Sequence, residues 1–250
     1  MKITFLNVLI LVLLSNNLSG QPKDIDYILG YGGIALVATN ELFIEKLAPA
    51  EPNWTEPNPF DIYFRDFFKW PDSRVYNAHI LSDIILWSMI IPSTFGAPAI
   101  SGYHYNEHLL INIQVLAATG LLTGISKYVI ARQRPYAYYK VDAGSEKYKD
   151  NLSFFSGHSA IAFATATTTS ILLEKKFHHI SGLIWSSTLT LAATTGILRI
   201  AADRHYMSDV LTGTVVGTLT AYLIAKNQKK QILAKKIPQK TVLFNWSFAL

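Results

Sequence analysis

Three short islands of charge and glycine lie between Lys127 and Asp209, separated by nearly uncharged sequence with helical patterning. The first runs from Lys127 to Arg134-Pro135, the second is Ser156-Gly157-His158, and the third runs from Arg199 through His205 to Asp209. Lys127 and Arg134 are seven residues apart, so on an unbroken helix two turns return them to nearly the same face and both cations point at one anion. Pro135 disfavours helical geometry at the residue before it and ends that helix at Arg134. Ser156 suits the N-cap of the apolar helix that follows, and Gly157 lets backbone approach a ligand closely. Free N–H groups and the positive end of the dipole make such a start an anion site, with His158 in the first turn and within reach. Arg199 and His205 are six residues apart, about 120° around an unbroken helix, so a turn must intervene if both are to face one ligand. His205 and Asp209 are four apart, the spacing at which helical side chains touch, which lets a carboxylate hold the imidazole in one tautomer. The three islands together specify a phosphate-sized anion site with a histidine nucleophile.

The ordered pattern Lys-x6-Arg-Pro, Ser-Gly-His and Arg-x5-His-x3-Asp resembles the type 2 phosphatidic acid phosphatase superfamily, which also includes vanadium haloperoxidases and bacterial non-specific acid phosphatases. The likeness runs from Lys127 into the helix after Asp209, and every charged position of the pattern is present. It implies an all-α helical bundle of that type, with about five to six membrane-associated helices. It implies that His205 forms a phosphohistidine, that Asp209 orients it, and that His158 protonates the leaving oxygen. Lys127, Arg134, Arg199 and the Ser156 and Gly157 groups are then the clamp on the phosphoryl oxygens. Such a site implies no metal, because fixed cations take the place of Mg²⁺ in neutralising the transferring group. No cofactor is implied either; vanadate is expected as an inhibitor, or as the bound cofactor in the haloperoxidase alternative. Phe155 and Leu198 stand where the family usually carries Pro before Ser-Gly-His and Ser before the third-island Arg.

The remaining charged residues read more plainly. Arg132, Asp203 and Arg204 are expected as surface or supporting charges. His178 and His179 form part of a polar loop, with no carboxylate or third histidine nearby at ligand spacing. His104 and His108 are four apart, but Glu107 does not follow the first histidine as the zinc-protease pattern requires, so no metal site is expected there.

The elements that must position the islands follow from composition. Half of the 250 residues are hydrophobic and 16% are charged, well below the roughly 25% of ordinary soluble domains. A formal charge of +5 fits an anionic substrate or membrane, and without a basic helix or aromatic–basic interleaving it does not indicate nucleic acid. Cysteine is absent, which excludes disulfides. Residues 1–20 read as a signal peptide or N-terminal anchor, with Lys2 ahead of an apolar run. Residues 21–80 hold a helix from Asp24 to Lys46, expected to be packed or interfacial, and then a segment rich in proline and aromatic residues suited to the bilayer interface. Residues 81–226 form the catalytic helical domain, and 227–250 a basic tail whose last ten residues alternate enough for a short strand. Within the catalytic domain, Pro92, Gly96 and Pro98 predict an early end to the helix that begins the run from Ile84. Gly213, Gly217 and the threonines of the later helices permit close packing.

If residues 1–20 enter from the cytoplasm, the uncharged runs alternate so that all three islands lie on the outer face, with Lys175-Lys176 and the basic tail inside. The expected function is a metal-independent phosphatase acting on a lipid phosphate or diphosphate at the membrane, its site facing the periplasm or exterior, with no protein partner implied. A soluble periplasmic acid phosphatase, a vanadium-dependent haloperoxidase and an inactive scaffold are the alternatives. The last would be marked by loss of a catalytic residue, and none is lost.

Overall fold

The computed structural model describes residues 24–101, 105–144 and 147–234. The long uncharged runs form helices because a backbone in an apolar medium must satisfy its hydrogen bonds internally. In chain order they are α1 (Gly33–Leu42), α2 (Pro59–Phe68), α3 (Val75–Ile91), α4 (Tyr105–Ile130), α5 (Gly157–Leu173), α6 (Ser181–Ala201) and α7 (Met207–Ala234), with shorter helical turns between them. Among the described residues there is no strand; β-pairing is confined to an isolated bridge between Trp54 and Arg132. The expected leader at 1–20, His104, and the tail from Thr241 to Leu250 lie outside the described residues.

Among the described residues, four helical segments are long and apolar enough to cross a membrane: Asp72–Ser101, Tyr105–Ile130, His178–Ala201 and Met207–Asn227. α5, with 17 residues, is not among them and sits inside the bundle, packed against α3, α4, α6 and α7, while the run at 1–20 that counts toward the five to six expected helices lies outside the described residues. Large apolar side chains on the surrounding helices, such as Trp87, Leu183, Val215 and Leu219, are exposed where lipid would cover them.

Of the expectations about the N-terminal half, one is met and one is corrected. The helix from Asp24 is packed, one of the two placements expected: it runs parallel to α4, with Gly33 against Ala117, Val37 against Gly120 and Asn40 beside Gly124. Gly30 and Gly33 serve this contact, since a Cβ on Gly30 would lie 3.0 Å from Leu110 Cδ1 and one on Gly33 2.8 Å from the Ala117 Cβ. Pro92 does not end its helix; α3 continues through a π-turn at Pro92–Gly96 into Ala97–Ser101, the wider turn accommodating a residue that has no N–H to donate. The division expected at residue 80 therefore falls inside one helix.

The chain passes up and down, so α3, α5 and α7 begin, and α4 and α6 end, at one end of the bundle. All three islands are thereby gathered there. The turn holding Lys175 and Lys176 lies at the opposite end of α5. The tightest crossing is that of α5 with α7: a Cβ on Gly213 would lie 2.5 Å from the Ser156 carbonyl oxygen, and one on Gly217 2.0 Å from that of Ala160. These two glycines let the α7 backbone rest directly on α5, and the same close approach brings His205 and His158 to one site.

Candidate active site

Lys127 lies in the last turn of α4, which ends at Ile130 because Ala131 adopts a left-handed φ of 46°. The unbroken helix from Lys127 to Arg134 is therefore not formed. Arg134 is instead extended, ahead of Pro135, and its guanidinium is fixed by three carbonyls: Nε donates to Lys149 at 3.0 Å, Nη1 to Arg204 at 3.3 Å and Nη2 to Leu152 at 3.1 Å. A guanidinium has five N–H donors, so these bonds fix the plane and leave two for a ligand. Helical spacing does not align the two cations; the fold-back of the loop after Ile130 does.

Ser156 caps α5 as expected, its Oγ accepting from the Ser159 N–H, while its own N–H donates to the Asp209 carbonyl at 3.0 Å. Gly157 faces α4: a Cβ there would meet Thr123 Cγ2 at 2.8 Å and lie 3.7 Å from Lys127 Nζ. The lysine thus stands directly beside the start of α5. In the next position, His158 Nε2 bonds Asp83 Oδ1 at 2.7 Å.

The turn required between Arg199 and His205 is present. α6 ends at Ala201, Asp203 takes a φ of 54°, and the N–H groups of Arg204 and His205 return to the Arg199 carbonyl. Arg199 Nη1 contacts three α3 side chains, with His79 Nδ1 at 2.7 Å, Ser82 Oγ at 3.0 Å and Asp83 Oδ1 at 3.5 Å.

The spacing argument for His205 and Asp209 is only half met. His205 precedes α7, and its Nδ1 lies 3.7 Å from Asp209 Oδ2, adjacent but beyond hydrogen-bond length. Asp209 is held elsewhere: Arg132 Nη1 and Ser153 Oγ each donate to it at 2.6 Å, and the Tyr206 N–H at 2.9 Å. The last bond is the reach of an N3 carboxylate back to the N-cap, which starts α7.

Arg132, Asp203 and Arg204 are not surface charges. Arg132 is fully buried, stacked on Trp54 with its Cζ 3.8 Å from the ring centroid, and it bridges Asp209 and Asp61 at 2.6 Å each. Asp203 is buried against Arg65 of α2, with bonds of 2.6 and 2.8 Å, and Arg204 Nη2 donates to the Ala143 carbonyl at 2.6 Å. The aromatic segment expected at the interface therefore also points Asp61 and Arg65 inward beneath the first and third islands. Asp61, Arg65, His79 and Asp83 were not singled out from the sequence. The available signal was a charge at i,i+4 spacing within otherwise apolar or aromatic runs, Asp61 with Arg65 and His79 with Asp83.

His205 is 1% exposed, and burial, followed by Arg134, Arg199, Lys127 and His158, pushes its pKa well below the ordinary histidine value. The imidazole is neutral at neutral pH and carries a lone pair. A histidine depressed in the folded state costs nothing above its unfolded pKa of about 6.5. Below that, the unfolded chain takes up a proton that the folded site refuses, a loss of about 1.4 kcal/mol of stability per pH unit. Thermal unfolding in detergent should therefore show a Tm that falls more steeply from about pH 6.5 to 5 in wild type than in His205→Asn. Equal slopes would mean that His205 is protonated in the folded protein.

The arrangement offers a neutral buried imidazole, three cations, a helix N-terminus and a carboxylate-bound second histidine. Among the described residues, no group of three or more His, Cys, Asp or Glu side chains is placed to hold a metal ion. A sequence model of the PAP2 superfamily matches residues 108–233. The chain is 35% identical over 108 residues to a lipid A 1-phosphatase of Porphyromonas gingivalis, covering 43% of this chain and 21% of that protein. It is 26% identical over 158 residues to a PA-phosphatase related-family protein of Dictyostelium discoideum, covering 55% and 58%. It is 25% identical over 134 residues to phospholipid phosphatase 1 of Rattus norvegicus, covering 43% and 47%. The chain thus spans between about a fifth and three fifths of these relatives.

Proposed function

From a chain that belongs to the PAP2 superfamily, we propose a metal-independent phosphatase that hydrolyses a lipid phosphate or diphosphate through a phosphohistidine at His205. The observation that carries this reading is the convergence of Lys127, Arg134 and Arg199 on a buried imidazole kept neutral. A cationic clamp holds phosphoryl oxygens and stabilises the charge that grows on them, whereas a neutral imidazole supplies the electron pair.

His205 Nδ1 faces Asp209, so Nε2 attacks phosphorus. The P–N bond forms as the bond to the lipid oxygen breaks, and that oxygen leaves with the electron pair and takes a proton from protonated His158. Water then attacks the phosphoryl group, giving a proton back to His158. The P–N bond breaks, its electrons return to Nε2, and inorganic phosphate departs. Asp209 stabilises the positive charge that develops on His205, by a short approach from its 3.7 Å resting distance.

Lipid as the substrate class is supported by the four helices able to cross a membrane and by the names of the relatives, a lipid A phosphatase and a phospholipid phosphatase among them. A site on the periplasmic or outer face is supported by the positive-inside rule, with Lys175 and Lys176 at the other end of the bundle. Purified protein should release phosphate from one class of lipid phosphate in the presence of EDTA, and vanadate, which mimics the trigonal-bipyramidal phosphoryl group, should inhibit. Loss of activity with EDTA, or release mainly from a soluble aryl phosphate, would overturn the reading.

A further inference from the structure

We infer that Asp83 is a positioning residue for His158, fixing which of its nitrogens exchanges the proton with the leaving group. This rests on the phosphatase reading above and reaches outside the family match, since α3 precedes residue 108.

The geometry is specific. Asp83 Oδ1 lies 2.7 Å from His158 Nε2, and His79, one turn earlier on α3, and the adjacent Ser82 contact Arg199. One helical face of α3 therefore serves two groups of the site, the acid histidine and a clamp arginine. With Asp83 ionised, the carboxylate is an acceptor only, so Nε2 carries hydrogen toward it and Nδ1 is the nitrogen left for chemistry. In the first step protonated Nδ1 gives its proton to the departing oxygen as the P–O bond breaks; in the second, neutral Nδ1 takes one from the attacking water. The Nε2–H stays on the ring throughout. Asp83 also offsets the positive charge of Arg199, which stands 3.5 Å away and would otherwise oppose protonation of His158. The side chain is 38% exposed, so the carboxylate sits at the rim of the site and not in its floor.

A residue that acts through the general acid is revealed by the leaving group. A weakly basic departing oxygen needs no proton, whereas an alkoxide does. Asp83→Asn, His158→Ala and the double variant would be assayed on 2,4-dinitrophenyl phosphate and on an alkyl phosphate, with the detergent-solubilised full chain. The expected result is a kcat/KM on the alkyl ester lowered by roughly 10- to 100-fold in Asp83→Asn, little change in kcat/KM on the dinitrophenyl ester, since kcat/KM reports only the step up to departure of the leaving group, and no further loss when Asp83→Asn is added to His158→Ala. The dinitrophenyl ester is the internal check on folding and on the clamp. Equal losses on both esters, or additive losses in the double variant, would overturn the inference while leaving the phosphatase reading intact. A wild type inactive on both esters and on lipid phosphates would remove that reading, and this one with it.

Discussion

Replacement of His205 by alanine is expected to lower phosphate release by at least about four orders of magnitude, the scale of losing the nucleophile from a site that works as a unit. Neighbouring groups are committed elsewhere: His158 keeps its part in proton transfer, and Asp209 is bonded to Arg132, Ser153 and Tyr206. Lys127, Arg134 and Arg199 remain, so the variant should still bind vanadate or phosphate. The pairing of lost turnover with retained anion binding separates loss of the nucleophile from unfolding. Wild type quenched in alkali after brief turnover should hold phosphate in an acid-labile linkage that His205→Ala lacks. Substantial residual turnover, or labelling of another residue, would make the nucleophile assignment wrong.

The second large effect concerns stability. Arg132→Met leaves Asp61 and Asp209 fully buried without the cation that bridges them at 2.6 Å to each. Removing one partner of a buried ion pair typically costs about 3–5 kcal/mol, because the remaining charge is uncompensated. For a domain of this size that corresponds to a Tm lower by roughly 6–20 °C. The partners should also couple: adding Asp61→Asn to Arg132→Met should cost less than the sum of the two, since the second change removes a charge the first had stranded. Arg132→Lys should recover little, because one ammonium cannot reach both carboxylates while stacking on Trp54 as the planar guanidinium does. Additive losses, or a Tm within about 2 °C of wild type, would show that this network does not hold the third island in place.

Much of the candidate site was legible in the sequence because the chemistry proposed for it is written in residue type and order. Three cations, two histidines, a carboxylate and a capping serine ahead of glycine, set in an almost uncharged chain, have few other uses. The helices were legible for the same reason: long apolar runs in a chain with 16% charge have little choice but to satisfy their own backbone. Helical spacing was less reliable as a guide to who touches whom. Lys127 and Arg134 converge although α4 ends between them, and His205 and Asp209 stand adjacent without a hydrogen bond because His205 precedes α7.

The sequence by itself determined the helical class, the charged groups of the site and their order along the chain. The tertiary structure alone decided their partners: that Asp83 of α3 takes His158, that Asp61 and Arg65 of α2 anchor Arg132 and Asp203, and that Asp209 answers to Arg132 before His205. The physical reason is that a buried charge must find its counter-charge wherever the packing of helices brings one, and Arg132 and Asp61, 71 residues apart, meet only once the bundle has closed.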